Sequence, residues 1–104
     1  MKVQFNTDKN IAGNHRLEAF ISSSLAEDLA RFSHHITRIE VHLSDENGQK
    51  AGQNDKRCLL EARLENRQPI AVTDYGNTIE EAFSGATDKL KAALGNILDR
   101  LKEH

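Results

Sequence analysis

The chain has 104 residues, a length that defaults to one domain, taken here as 1–104. At 38% hydrophobic it can bury one core, and with 29% charged residues and a net charge of −2 it is neither an acidic tail nor a strongly basic nucleic-acid binder. A single cysteine forms no internal disulfide, which fits a reducing, cytoplasmic setting. The start, Met1-Lys2-Val3-Gln4, lacks the apolar core of a signal peptide, and no run approaches the ~18 apolar residues of a membrane span.

In chain order, Lys2 to Asn6 alternates, with Val3 and Phe5 on one side, and predicts a short strand. Thr7 to Asn14 is polar and reads as a loop, after which Asn14 can cap a helix running to about Phe32. Leu17, Phe20, Ile21, Leu25, Leu29 and Phe32 share one arc of that helix. Three serines in a row lower its intrinsic propensity, so packing must supply much of its stability.

Thr37 to Leu43 predicts a strand in which Ile39, Val41 and Leu43 alternate with Arg38, Glu40 and His42. Asp45 to Lys56 is a polar connection, too long for a tight hairpin. Arg57 to Glu65 alternates again, with Cys58, Leu60, Ala62 and Leu64 on one face. Asn66 to Gln68 makes a turn, and Pro69 to Tyr75 gives a last strand with Ile70 and Val72 facing in. Thr78 to Glu103 is a long amphipathic helix, about 39 Å at ~1.5 Å per residue. Ile79, Ala82, Phe83, Ala86, Leu90, Ala93, Leu94, Ile97 and Leu101 form its apolar stripe, and Thr78 with Glu81 forms a capping box.

The order is β-α-β-β-β-α. Three consecutive strands form an antiparallel meander, and the first strand joins the second in parallel through a right-handed helical crossover. The fold class is α+β: a two-layer sandwich of a four-stranded sheet with both helices on one face. Arg38, Glu40, His42, Arg57, Leu59, Glu61, Arg63, Ala71 and Thr73 then form the opposite, open face.

Little in the chain points to catalysis. His34-His35 are adjacent and point apart, which suits a helix C-terminus better than a metal. Cys58 sits at an inward strand position and reads as a small apolar residue. No glycine-rich phosphate loop, metal-ligand spacing or nucleophile motif is present. The expectation is a non-enzyme with no cofactor, no metal and no small-molecule substrate.

The cations of the long helix are more informative. Lys89 and Arg100 share one flank of the apolar stripe, Lys91 and Lys102 the other, with Asp88 and Asp99 between them. Rows of this kind meet successive phosphates, and Arg16 and Arg31 on the first helix can widen the patch. A solvated helix face with local ion pairs has the same spacing.

Four stretches carry a resemblance. Ile39-Glu40-Val41-His42-Leu43, the connection ending Asp55-Lys56-Arg57-Cys58, Leu60-Glu61-Ala62-Arg63-Leu64, and Ala82 through Leu90 with Asp88-Lys89-Leu90 resemble the ribosome-associated inhibitor and hibernation-promoting factor family, the sigma-factor modulation proteins. The resemblance covers nearly the whole chain and is to the short form. It implies a bacterial cytoplasmic protein, double-stranded-RNA-binding-domain-like with an extra first strand. It also implies that the partner is the small ribosomal subunit, through ribosomal RNA in the channel used by messenger and transfer RNA, and that translation is inhibited under stress. By position, Lys89, Arg100 and Lys102 match basic sites on the family's last helix. Ala92, Gly95, Asn96 and Leu98 stand where that helix is usually basic. The alternative is a diverged protein-interaction module on the same fold, a homodimer joined through Leu59 on the open sheet face or Leu98 outside the main stripe.

Overall fold

The computed structural model describes residues 1–7, 15–46 and 55–102, with backbone alone at 101–102. Six regular elements follow the expected order: β1 (Lys2–Thr7), α1 (His15–Asp28), β2 (Ile36–Asp45), β3 (Lys56–Leu64), β4 (Ile70–Gly76) and α2 (Ile79–Lys102). The sheet order is β1-β2-β3-β4. β1 runs parallel to β2, pairing Val3 with Ile39 and Phe5 with Val41. The other two pairings are antiparallel, with Val41 opposite Leu60 and Leu60 opposite Val72.

This register follows from the alternation. Val41, Leu60 and Val72 fall on one row, so a shift by one residue in any strand would turn its apolar side to water. The inward residues of β2 and β3 (Ile39, Val41, Leu43, Cys58, Leu60 and Ala62) are all at most 2% exposed. Ile21, Leu25 and Leu29 close over them from one helical segment, and Phe83, Leu90 and Leu94 of α2 from the other. Leu17 is partly buried at the margin of the same cluster. The two-layer arrangement is therefore as expected.

The first helix ends differently. It is α-helical only to Asp28, and Ala30–His35 forms a 3₁₀ segment. The Phe32 amide donates to the Leu29 carbonyl at 2.9 Å, an i to i−3 bond. Three residues per turn keep Leu29 and Phe32 on one side, and both are buried. The buried spacing is common to both helix types, which is why periodicity ran the α-helix too far. His34 and His35 end the segment and are exposed. The expected cap at Asn14 and the tip of the β2–β3 connection lie outside the described residues.

Two local features turn the chain between β3, β4 and α2. Asn66 takes φ 60, the left-handed conformation that asparagine adopts at modest cost. Gly76 is fixed by close approach: a Cβ there would come within 2.7 Å of the Ala82 amide nitrogen and of Glu81 Cβ. The bend between β4 and α2 closes this tightly only without a side chain at Gly76.

Candidate nucleic-acid interface

α2 begins with the expected cap. The Glu81 amide donates to Thr78 Oγ1 at 3.1 Å. The Glu81 carboxylate accepts from the amide of Asn77 at 2.9 Å, one residue before the position that a standard capping box uses. From Ile79 to Asp88 the charged residues are Glu80, Glu81 and Asp88. From Lys89 to Lys102 they are Lys89, Lys91, Arg100 and Lys102 against Asp99. The helix dipole favours this sense at the two ends but acts only within a turn of each. It does not account for Asp88, Lys89 or Lys91 in the middle.

The proposed cations are not gathered into one patch. Lys89 lies on the β4 flank, where its Nζ donates to the Thr73 carbonyl at 2.9 Å and stands 3.7 Å from Asp74 Oδ1. Lys91 is about 200° round the helix from it at 3.6 residues per turn. Arg31 reaches the last turns of α2 from the 3₁₀ segment, with its guanidinium 4.5 Å above the Phe32 ring and Nη2 3.9 Å from Asp99 Oδ1. Arg100 is exposed, its Nε donating to the Asn96 carbonyl at 3.3 Å. Arg16 lies elsewhere, beside the start of α2 in a hollow that Lys56 and Glu80 also line. The Lys102 side chain lies outside the described residues, as does that of Leu101 in the expected stripe.

Three features of this region were missed from sequence. Asp74 stands at an inward register position of β4, opposite Cys58, where alternation calls for an apolar residue. Its carboxylate accepts from the Tyr75 amide at 2.8 Å and packs so tightly on α2 that a Cβ at Gly85 would overlap it. A carboxylate on an apolar row above a mid-helix glycine was the available signal. Arg67 was not considered, yet with Leu64, Gln68 and Ile97 it lines a hollow of about 770 Å³ beside the second half of α2. Leu98 is only 8% exposed. It belongs to the buried core cluster, so it does not offer the exposed apolar surface expected for dimerisation.

The open sheet face is internally neutralised. Glu40 Oε2 lies 3.3 Å from Arg63 Nε and 3.6 Å from Arg38 Nη2, and Arg63 Nη2 is 3.0 Å from Glu61 Oε1. The Glu40 carboxyl is held below its ordinary pKa, first by its hydrogen bond with Glu61 and then by Arg63 and Arg38, against partial desolvation. At the mouth of the β2–β3 connection Lys56 Nζ sits 3.2 Å from both Asp45 Oδ2 and Asp55 Oδ1. Those two carboxylates, Asp55 first, raise its pKa. Among the described residues Lys2, Arg67, Lys91 and Arg100 enter no ion pair, and two of these four, Lys91 and Arg100, lie on the second half of α2. No group of three His, Cys, Asp or Glu side chains among the described residues is arranged to hold a metal ion.

These features define a class: a small α+β sandwich whose last helix is anionic at its start, cationic at its end and laid across a mixed four-stranded sheet. The chain belongs to the family described as Sigma 54 modulation protein / S30EA ribosomal protein, which matches residues 6–102. This is the family of ribosome-associated factors that the strand and helix motifs resembled. The fold is similar to the N-terminal domain of Thermus thermophilus Protein Y, with a TM-score of 0.74 at 18% identity over 93% of this chain and 99% of that one. It is similar also to a ribosomal subunit interface protein from Coxiella burnetii, with a TM-score of 0.66 at 13% identity over 95% and 99% of the two chains. At these identities the likeness speaks for the fold alone. No curated protein matches. Among the described residues no helix is long and apolar enough to cross a membrane.

Proposed function

We propose that this protein is a cytoplasmic, non-catalytic factor that binds the small ribosomal subunit and inhibits translation when growth stops. The observation that carries the reading is the family match across residues 6–102. The charge of α2 supports it locally. Lys89, Arg100 and Lys102 are the residues proposed to meet RNA phosphates, with Arg31 extending the surface from the 3₁₀ segment and Arg16 a more distant contact near the start of α2. Inhibition then needs no chemistry. A body of 51 × 24 × 21 Å held in the channel of messenger and transfer RNA excludes both by volume.

Ion pairing does not by itself separate the two surfaces: Arg38 and Arg63 pair with Glu40 and Glu61 on the sheet face, and Lys89 and Arg31 pair with Asp74 and Asp99 beside α2. Cosedimentation of the protein with purified small subunits over a salt series tests the reading. Phosphate contacts release counterions, so binding is expected to fall steeply with salt, by a log–log slope of ~0.7–0.9 for each contact. Absence of pelleting even at low salt would overturn it.

A further inference from the structure

Phe20 falls on the apolar arc of α1, yet it is 50% exposed. Its ring meets Phe83 of α2 edge-on, with centroids 6.2 Å apart. A lone exposed phenylalanine is ordinary. This one, however, stands between two adjoining hollows that together make a trough along the α1–α2 seam. The wider, about 520 Å³, is walled by the apolar side chains of Leu17, Phe20 and Ile79, with Arg16, Lys56 and Glu80 also at its edge. The narrower, about 150 Å³, runs on past Phe20 and Phe83 and is rimmed by Asp28, Glu80 and Asp88.

The rim of the narrower hollow is anionic and, like Glu18, Glu27 and Glu65, enters no ion pair among the described residues. Asp45, Asp55, Glu40, Glu61, Asp74 and Asp99 all stand within 4 Å of a cation. Asp28, Glu80 and Asp88 are exposed, and among the described residues none of them enters an ion pair. At the narrower end, where Phe20 and Phe83 lie beside Asp28, Glu80 and Asp88 and no cation lines the hollow, an apolar floor with an anionic rim repels phosphate and fits a ligand that brings an apolar group together with cations. Its length limits the ligand further. Ile79 to Asp88 spans about 14 Å of helix, the reach of four or five extended residues at ~3.3 Å each.

We propose that the trough between α1 and α2 docks an extended cationic polypeptide segment. One apolar side chain of the segment seats against Leu17, Phe20 and Ile79, and its lysine or arginine side chains lie on Asp28, Glu80 and Asp88. The partner is thus a protein, and the trough is a surface distinct from the cationic end of α2. The inference does not depend on the ribosomal reading, because its test contains no ribosome.

The test is an amide-shift titration of the isotopically labelled full chain with the peptide Lys-Lys-Leu-Lys-Lys. A second peptide carries serine for the leucine, and a short oligouridylate serves as the RNA probe. Shifts are expected to concentrate between Leu17 and Asp28 and between Ile79 and Asp88. The serine peptide, and separately the combined variant Asp28→Asn, Glu80→Gln, Asp88→Asn, should each bind about tenfold more weakly. All three substitutions are at exposed positions, and the spectrum itself reports whether the variant is folded. Phe20→Ser provides a second route to the same loss without altering charge. Shifts spread equally over Glu46, Glu65 and Asp99 would overturn the proposal. So would unchanged affinity in the neutralised variant, or perturbation of Asp28, Ser84 and Asp88 by the oligouridylate as strong as that by the peptide.

Discussion

The two halves of α2 lie on the same sheet and share one buried seam, yet their outer surfaces differ. The first half carries Glu80, Glu81 and Asp88, and its Gly85 is pressed against the Asp74 carboxylate. The second half carries four cations against Asp99, and its Gly95 faces open space, where a Cβ would meet only Arg31 Nη2 at 3.9 Å. One helix can therefore offer two chemistries, because burial along the seam fixes the fold and leaves the outward positions free to take either sign. The first half is tightly fitted; the second is loosely fitted and charged.

What the halves share should give the largest effect. Leu90 lies at their junction and is fully buried, so Leu90→Ala is expected to cost ~2–5 kcal/mol in denaturant unfolding. An unchanged midpoint would remove the seam as the element that joins them. Cys58, beneath the first half and opposite Asp74, is the next probe. Burial pushes its thiol up from 9.0 to about 12, with Asp74 adding to the rise and Arg57 opposing it. A raised thiol pKa keeps the folded state protonated, so its stability contribution is complete below pH ~9 and is lost as pH climbs toward 12. Melting temperature should fall across that window in the wild type and less in Cys58→Ala. In native protein at neutral pH the thiol should react with a thiol reagent only as fast as the chain opens.

The glycines separate the halves most directly. Gly85→Ala should destabilise by ~1–3 kcal/mol, because the new methyl displaces the Asp74 carboxylate and with it the Lys89 contact. Gly95→Ala, in an open helical position, should instead stabilise by up to ~1 kcal/mol. Thermal melts of the pair measure both, and the same sign for the two substitutions would erase the distinction in fit.

Much of this contrast could be read in the sequence, for reasons that also explain the misses. Strand alternation has a period of two and one apolar side, so Ile39, Val41, Cys58 and Leu60 were assigned to the core correctly. The Thr78 cap and, in the α2 stripe, Ile79, Ala82, Phe83, Ala86, Leu90 and Leu94 are local signals and also held. What escaped depends on neighbours that no single element's pattern contains. Leu98 looked outward because it falls outside the stripe drawn for one helix on a sheet, yet it joins the buried core cluster. Phe20 looked inward for the converse reason: its arc faces the α1–α2 seam, which the two helices do not close. Asp74 and Gly85 were not singled out from sequence and make sense only as a contact. The cations were found as residues, but not that Lys89 would be drawn to Thr73, Arg31 to Asp99, and Arg16 to the far end of α2.

The central claim is that location on the second half of α2, rather than net charge, brings this protein to ribosomal RNA. Pelleting with small ribosomal subunits over a salt series tests it with three proteins: wild type, a helix variant with Lys89→Ala, Arg100→Ala and Lys102→Ala, and a sheet-face variant with Arg38→Ala, Arg57→Ala and Arg63→Ala. The two variants lose the same number of cations, and a thermal melt of each preparation confirms folding. The account predicts that the helix variant loses binding and that its log–log salt slope flattens by about 2–3 through three lost phosphate contacts, while the sheet-face variant stays close to wild type. Equal losses in the two variants, or a greater loss in the sheet-face variant, would contradict it.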